Sequence, residues 1–111
     1  MKNELTKAED SAVLLFIKNI RKLLGKSFLK AVLFGSRSRG EGNEESDIDI
    51  LVLIDDVTLK KKHIVWDAAH DILLDTEIYI SPLVMSKKQF EQLRNHERMI
   101  AKEIDRDGVI L

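Results

Sequence analysis

Two short, mostly apolar runs restrict the possible folds of this chain more than any other feature of its sequence. They are Phe28–Phe34, which a glycine and a serine follow, and Ile48–Ile54, which two aspartates follow. Apolar runs of this length, bounded by turn-forming residues, are typical of buried strands. We therefore predict two strands inside the fold, joined by a polar, glycine-containing loop.

Helical patterns precede and follow these strands. Thr6 and Glu9 have capping-box spacing, and Gly25 is a good helix stop. Between them, apolar residues recur at helical intervals, namely Val13, Phe16, Ile17, Ile20 and Leu24. A second helix is predicted on Leu59, Trp66, Ala69 and Leu73, with the tryptophan in the core. A third is predicted from the capping box at Ser86 to Asp107.

A third strand is predicted where Glu77-Ile78-Tyr79-Ile80-Ser81 alternates polar and apolar residues. Pro82 favours a sheet edge or the end of a strand, and Val109–Leu111 could add a short last strand. The order helix, strand, strand, helix, strand, helix, short strand describes one α/β domain over residues 1–111.

Charge and composition exclude several classes of function. Lysine and arginine total 18 against 19 aspartates and glutamates, so the net charge of −1 provides no basic field for nucleic acid. The chain has no cysteine, which excludes disulfides and thiolate zinc sites. No apolar run approaches the roughly 20 residues of a membrane span, and the first ten residues lack the apolar core of a secretory signal. We expect a cytoplasmic protein with neither a membrane nor a nucleic acid as its partner.

Asp47 directly precedes the second predicted strand, and Asp49 is the second residue of that strand. On an extended strand they point to one face, with α-carbons roughly 6.5–7 Å apart, so their carboxylates can converge on a cation. Mg²⁺ prefers oxygen ligands and is usually bound by a few carboxylates together with substrate phosphates. Gly35 and Ser36 end the first strand, where a tight turn can present N–H groups and a hydroxyl to a phosphate. Taken singly, these residues have simpler interpretations, a solvated strand start and a turn glycine.

Together they resemble a known signature. Gly35-Ser36, ten further residues and Asp47-Ile48-Asp49, with Arg39-Gly40 and Ser46 between them, resemble the polymerase-beta-like nucleotidyltransferase superfamily. The small size is similar to that of its minimal members, called MNT. The resemblance implies an α/β (α+β) fold, a small mixed sheet flanked by helices.

The resemblance also implies a reaction and its residues. An acceptor hydroxyl would attack the α-phosphate of a nucleoside triphosphate, with ATP as the expected donor, and pyrophosphate would leave. Asp47 and Asp49 would bind two Mg²⁺ ions, and Gly35 and Ser36 would hold the β- and γ-phosphates. Phosphate contact by Arg37 or Arg39 is also implied, although loop arginines are usually only exposed charge.

The third carboxylate of the family comes from the neighbouring strand, and here the sequence departs from the pattern. Alignment of the following Ile-Ser-Pro stretch places Tyr79 at the acidic position. Glu77 shares a face with Tyr79 and Ser81 on the predicted strand, so we predict that Glu77 supplies this catalytic and metal-binding acid.

The resemblance further implies a partner protein. Many MNT proteins are paired with a HEPN-domain protein, as an antitoxin that adenylylates a toxin or as half of a two-subunit enzyme. Two alternatives stay open: a nucleotide-binding module whose catalysis has lapsed, which Tyr79 favours, and a small-molecule transferase of the aminoglycoside type. Both predicted strands carry apolar residues on both faces, so a homo- or hetero-oligomer is also expected.

Overall fold

A four-stranded mixed sheet organises the fold in the computed structural model, which describes residues 5–35, 47–96 and 98–111. The elements, in chain order, are α1 (Lys7–Leu24), β1 (Phe28–Phe34), β2 (Ile48–Ile54), α2 (Leu59–Thr76), β3 (Ile80–Met85), α3 (Lys87–His96), α4 (Arg98–Asp107) and β4 (Val109–Ile110). The strand order is β3-β2-β1-β4, in which β1 runs antiparallel to both of its neighbours and β2 runs parallel to β3. The predicted class, a mixed sheet flanked by helices, is confirmed.

Helices cover both faces of the sheet. Residues of α1 and α2 form one apolar cluster with Ala31, Leu33, Ile48, Ile50, Val52 and Ile54. Residues of α3 and α4 form a second cluster on the opposite face with Val32, Phe34, Leu51 and Leu53. The chain's own helices therefore bury the two apolar faces that led us to expect another subunit, and that argument for an oligomer fails.

The predicted helix signals are present as hydrogen bonds. The Glu9 N–H donates to the Thr6 hydroxyl at 3.1 Å, and the Thr6 N–H donates to the Glu9 carboxylate at 2.9 Å. Gly25 ends α1 with a φ of 57°. Ser86 and Gln89 form the same reciprocal pair ahead of α3. These local predictions were correct because a capping box depends only on residues three apart.

The C-terminal helical pattern forms two helices where we predicted one. A straight helix from 87 to 107 would be roughly 30 Å long and would leave the sheet. The division into α3 and α4 lets Phe90 of the first and Ala101 and Ile104 of the second reach the same apolar cluster. Arg94 joins the helices by donating to both carboxylate oxygens of Asp105, at 3.0 and 2.9 Å.

The start of the third strand was predicted wrongly. The helix α2 extends to Thr76, and Glu77 caps it in a left-handed conformation, with φ 62°, ψ 13° and an N–H that donates to the Leu73 carbonyl at 2.8 Å. The Thr76 hydroxyl stabilises this turn, because it donates to the Ile72 carbonyl at 2.6 Å and accepts from the Ile78 N–H at 3.1 Å. Strand β3 begins only at residue 80.

The length and apolar character of the helices decide whether one of them could span a membrane. Within the described ranges, no helix combines the length and the apolar character needed to cross a membrane.

Candidate active site

Asp49 lies on the inner strand β2, between Phe34 of β1 and Ser81 of β3. Ile48 and Ile50 on either side of it point into the cluster formed with α1 and α2. Because side chains alternate along a strand, Asp49 faces the opposite side, which α3 and α4 cover. Its side chain is half-buried there.

Burial and two neighbouring acids act on this carboxylate. The pKa of Asp49 is raised above its ordinary value, first by burial and then by the negative charges of Asp47 and Glu103. Asp47 is exposed and directly precedes β2. All three causes disfavour the ionised form of Asp49, and a nearby divalent cation would favour it. This oxygen-rich, mutually repelling set fits a hard cation such as Mg²⁺, with Asp47 and Asp49 as the residues to hold it.

Gly35 lies directly against Asp49. It follows the last residue of β1 with a φ of 81°, a left-handed conformation that side chains rarely adopt. A β-carbon added to Gly35 would lie 2.5 Å from Oδ2 of Asp49 and 3.4 Å from its Cγ. The predicted turn glycine therefore has a second purpose, because its missing side chain leaves the space that the carboxylate occupies.

The other predicted phosphate contacts cannot be placed. Ser36, Arg37 and Arg39 lie outside the described residues, as do Gly40 and Ser46 of the same motif. Their roles stay predictions.

Glu77 is not beside the two aspartates on the sheet. It is the exposed cap of α2, three residues ahead of β3, and it does not share a strand face with Tyr79 and Ser81. In the ranges that the structure describes, no three histidine, aspartate or glutamate side chains are grouped so that they could hold a metal ion. The structural reason for assigning Glu77 to the metal site was therefore wrong.

The strand neighbours of the pair also lack an acid. Ser81 is level with Asp49 on β3, and the Ile48 N–H donates to the Tyr79 carbonyl at 3.3 Å, one residue from Asp47. A serine and a tyrosine thus border the two aspartates.

Sequence reasoning missed Glu103, which lies on α4 and acts electrostatically on Asp49. Its only signal in the sequence was its place next to Ile104, at the border of the apolar face of an amphipathic helix. That signal cannot indicate which strand residue the helix will meet.

A cavity of about 220 Å³ lies between α2 and the outer strand β3, near the same end of the sheet. Its lining residues are Trp66, Ala69, His70, Leu73, Tyr79, Ile80 and Pro82. Trp66, predicted to lie in the core, is 42% exposed and packs edge-on against His63, with ring centroids 5.4 Å apart.

Comparison with known proteins gives a family. Residues 17–111 match the family model described as polymerase beta, nucleotidyltransferase. Two relatives from Methanocaldococcus jannaschii carry names that assign them provisionally to the protein adenylyltransferases. MJ0141 is 38% identical over 65% of this chain and 74% of its own length. MJ0604 is 33% identical over 78% of this chain and 83% of its own length.

Solved structures share the fold. A toxin–antitoxin structure with AMP-PNP is 21% identical, with a TM-score of 0.57 over 86% of this chain and 68% of that one. A tri-AMPylated HEPN toxin of Shewanella oneidensis in complex with its MNT antitoxin provides another match, 20% identical. Its TM-score is 0.56 over 91% of this chain and 69% of that one.

Proposed function

The chain belongs to the polymerase beta nucleotidyltransferase family, and from that premise we propose that it transfers AMP from ATP to a hydroxyl group of a partner protein. The observation that carries the proposal is the packing of Gly35 against the Asp49 carboxylate, with Asp47 two residues before Asp49 on the chain. This arrangement holds two acids at the start of β2, beside the end of β1 that a triphosphate-binding turn would follow.

The reaction forms one bond and breaks another. The acceptor oxygen attacks the α-phosphorus of ATP, the bond from that phosphorus to the bridging oxygen breaks, and pyrophosphate leaves. The hydroxyl proton passes to a base. Two Mg²⁺ ions would supply charge neutralisation for the phosphates and the acids when bound.

The residues of this chain would position the substrate. Asp49 on β2 and Asp47 directly before that strand would hold the metal, and Gly35 keeps the space beside Asp49 open. We include Ser36, Arg37 and Arg39 as phosphate contacts, since they directly follow Gly35 in the sequence.

The partner that we propose is a HEPN-domain protein, and the chain would act as its antitoxin in the cytoplasm. Two observations support this: the names of the M. jannaschii relatives and the fold shared with an MNT antitoxin bound to a HEPN toxin. The proposed complex would bring the acceptor hydroxyl to Asp47 and Asp49.

A binding module without catalysis is the second candidate. The absence of an acid at Ser81 and Tyr79, the residues bordering the aspartate pair, favours it.

Labelled ATP separates the two candidates. The protein is incubated with Mg²⁺, a candidate HEPN-domain partner and ATP labelled on either the α- or the γ-phosphate. We expect label on the partner from α-labelled ATP alone, and none in EDTA or with Asp49→Asn. A complex that binds ATP and the partner but transfers no label would establish the binding module and overturn the enzyme.

A further inference from the structure

The proposed reaction requires the acceptor to approach the aspartate pair from one particular side. In an in-line displacement the attacking and leaving oxygens lie on opposite sides of the phosphorus. Strand β2 has β1 on one side, which leads into the proposed phosphate-binding turn at Gly35, and β3 on the other. With pyrophosphate on the β1 side of Asp49, the acceptor hydroxyl approaches from the β3 side.

The cavity between α2 and β3 lies on that side. Two of its lining residues, Tyr79 and Ile80, are neighbours of Ile48, which stands between the two aspartates on the chain. The Tyr79 carbonyl accepts from the Ile48 N–H at 3.3 Å, and Ile80 is level with Ile48 in the parallel ladder. The cavity is therefore one strand away from the pair, at the edge of the sheet where β3 lies.

Large exposed side chains surround this cavity. Trp66 and Tyr79 both line it, yet they are 42% and 54% exposed. Leu74 is also exposed and lies one helical turn beyond His70, another lining residue of α2. Tryptophan and tyrosine are enriched where proteins bind each other and often carry much of the binding energy. The border of the cavity thus has the composition of a protein-binding surface.

The volume and the chemistry of the cavity limit what it can bind. Its volume of about 220 Å³ is below the roughly 300–1,000 Å³ of pockets for drug-sized ligands. None of the described residues that line it is an aspartate, glutamate, lysine or arginine. It therefore provides no ion partner for the ammonium groups of an aminoglycoside or for a phosphate. One apolar side chain of a polypeptide satisfies both limits.

The two faces of the sheet favour a polypeptide over the adenine of ATP. Ile80 belongs to the apolar cluster formed with α1 and α2, whereas Asp49 lies on the opposite face. Adenine is joined to the α-phosphate through a single ribose and would have to pass round the edge strand to reach the cavity. An extended polypeptide advances about 3.3 Å per residue and passes that edge within a few residues.

We propose that this cavity is the docking site for a polypeptide acceptor. It binds one apolar side chain of the partner, a few residues from the acceptor hydroxyl, and thereby selects which hydroxyl reaches Asp47 and Asp49. The inference rests on the proposed function, because it takes a protein as the acceptor and the turn after Gly35 as the phosphate site. It gives Trp66 and Tyr79 a role in acceptor binding.

The test measures partner binding and transfer separately, with the candidate HEPN-domain partner as the probe. Affinity is measured by biolayer interferometry without ATP, and the KM values for partner and ATP come from the transfer assay. Trp66 is the only tryptophan of the chain, so its fluorescence also follows an ATP titration. The variants are Trp66→Ala and Tyr79→Ala. Leu59→Ala is the matched control, because Leu59 is exposed on the same helix but does not line the cavity.

We expect Trp66→Ala to weaken partner binding, and to raise the KM for the partner, by roughly tenfold or more, as is usual for a central tryptophan of an interface. Tyr79→Ala should change both quantities in the same direction. Leu59→Ala should bind the partner as the parent does. The KM for ATP should stay parental in all three variants, and ATP should leave the fluorescence of Trp66 unchanged.

Parental partner affinity in both cavity variants would overturn the inference, as would an equal loss in Leu59→Ala. Quenching of Trp66 by ATP, with a raised KM for ATP in Trp66→Ala, would assign the cavity to the nucleobase instead. If circular dichroism shows Trp66→Ala to be unfolded, Tyr79→Ala decides, because its side chain is more than half exposed. Failure of the proposed function is distinguishable, because the partner would then bind through Trp66 without receiving AMP.

Discussion

Gly35 and Asp49 are packed so closely that a methyl group on the glycine would lie 2.5 Å from Oδ2 of the aspartate. The contact joins the end of β1 to the acid on β2, so a side chain added at Gly35 would displace the Asp49 carboxylate. Gly25 has a positive φ but no such neighbour, so the two glycines form a matched pair for experiment.

Gly35→Ala should displace the Asp49 carboxylate and lower transfer at least tenfold, since a small misplacement of a reacting group can reduce the rate by roughly 10²-fold. Gly25→Ala is the control, because Gly25 also has a positive φ, 57°, but no atom lies within 4 Å of its added β-carbon. Both variants should lose about 1–2 kcal/mol of stability from the left-handed backbone. Transfer rates and urea denaturation of both variants separate the loss of activity from the loss of stability. Equal transfer rates in the two would contradict a specific role for the Gly35 contact.

Asp49→Asn should reduce transfer by roughly 10²-fold or more, because it removes a charge that stabilises the transition state. The fold should survive, since the side chain is half-buried and its shape is kept. Single-turnover transfer and circular dichroism measure the two effects. A variant that transfers AMP at the parental rate would remove Asp49 from the metal site.

The stability of the metal-free protein should depend on pH through Asp49. Its pKa is raised above 3.8 in the folded state, so its protonated form favours folding. This contribution is complete below pH 3.8 and is lost as the pH rises through the folded-state pKa. In EDTA, urea denaturation should therefore show the parent losing stability relative to Asp49→Asn as the pH rises from 3.8 through the folded-state pKa. Parallel pH curves for the two proteins would contradict the raised pKa.

Glu77→Gly should raise the free energy of unfolding by about 0.5–1 kcal/mol, because glycine adopts the left-handed conformation of this helix cap without strain. Thermal or urea denaturation measures the gain. Transfer by Glu77→Gln, made in parallel, tests the sequence-based role. A roughly 10²-fold loss there would restore Glu77 as the third acid.

Gly108→Ala should destabilise the protein by about 1–3 kcal/mol, since the added carbon would overpack the contact between α4 and β1. That carbon would lie 2.6 Å from Cγ1 of Val32 and would also collide with the Ile104 carbonyl. Unchanged urea denaturation would show that α4 can shift without cost.

The sequence predicted most of the sheet and the closeness of two acids at its loop end. The bounds of β1 and β2 were correct, because apolar runs between turn residues leave few alternatives. Alternation within β2 also predicted that Asp47 and Asp49 lie close together, and the charge of one acts on the other. The alternation of polar and apolar residues at 77–81 was misleading. It is compatible with a strand, but hydrogen bonds of the Thr76 hydroxyl form the end of a helix there instead.

Other features depend on tertiary contacts that no local pattern contains. Glu103 is 54 positions from Asp49, and only the docking of α4 on β1 brings its charge to the aspartate. Trp66 has the helical spacing of a core residue. It lies over β3, the edge strand of the sheet, and therefore stays partly exposed.

The position of Asp49 on β2 also affects how the protein loses activity. Its strand partner Phe34 and the next residues on β2, Ile50 and Leu51, are at most 7% exposed, so this part of the chain belongs to the most protected unit of the fold. The backbone amides on either side of the acid should exchange their hydrogens only through global unfolding. Heating should then abolish transfer and melt the core at the same temperature, with no inactive but folded state between them.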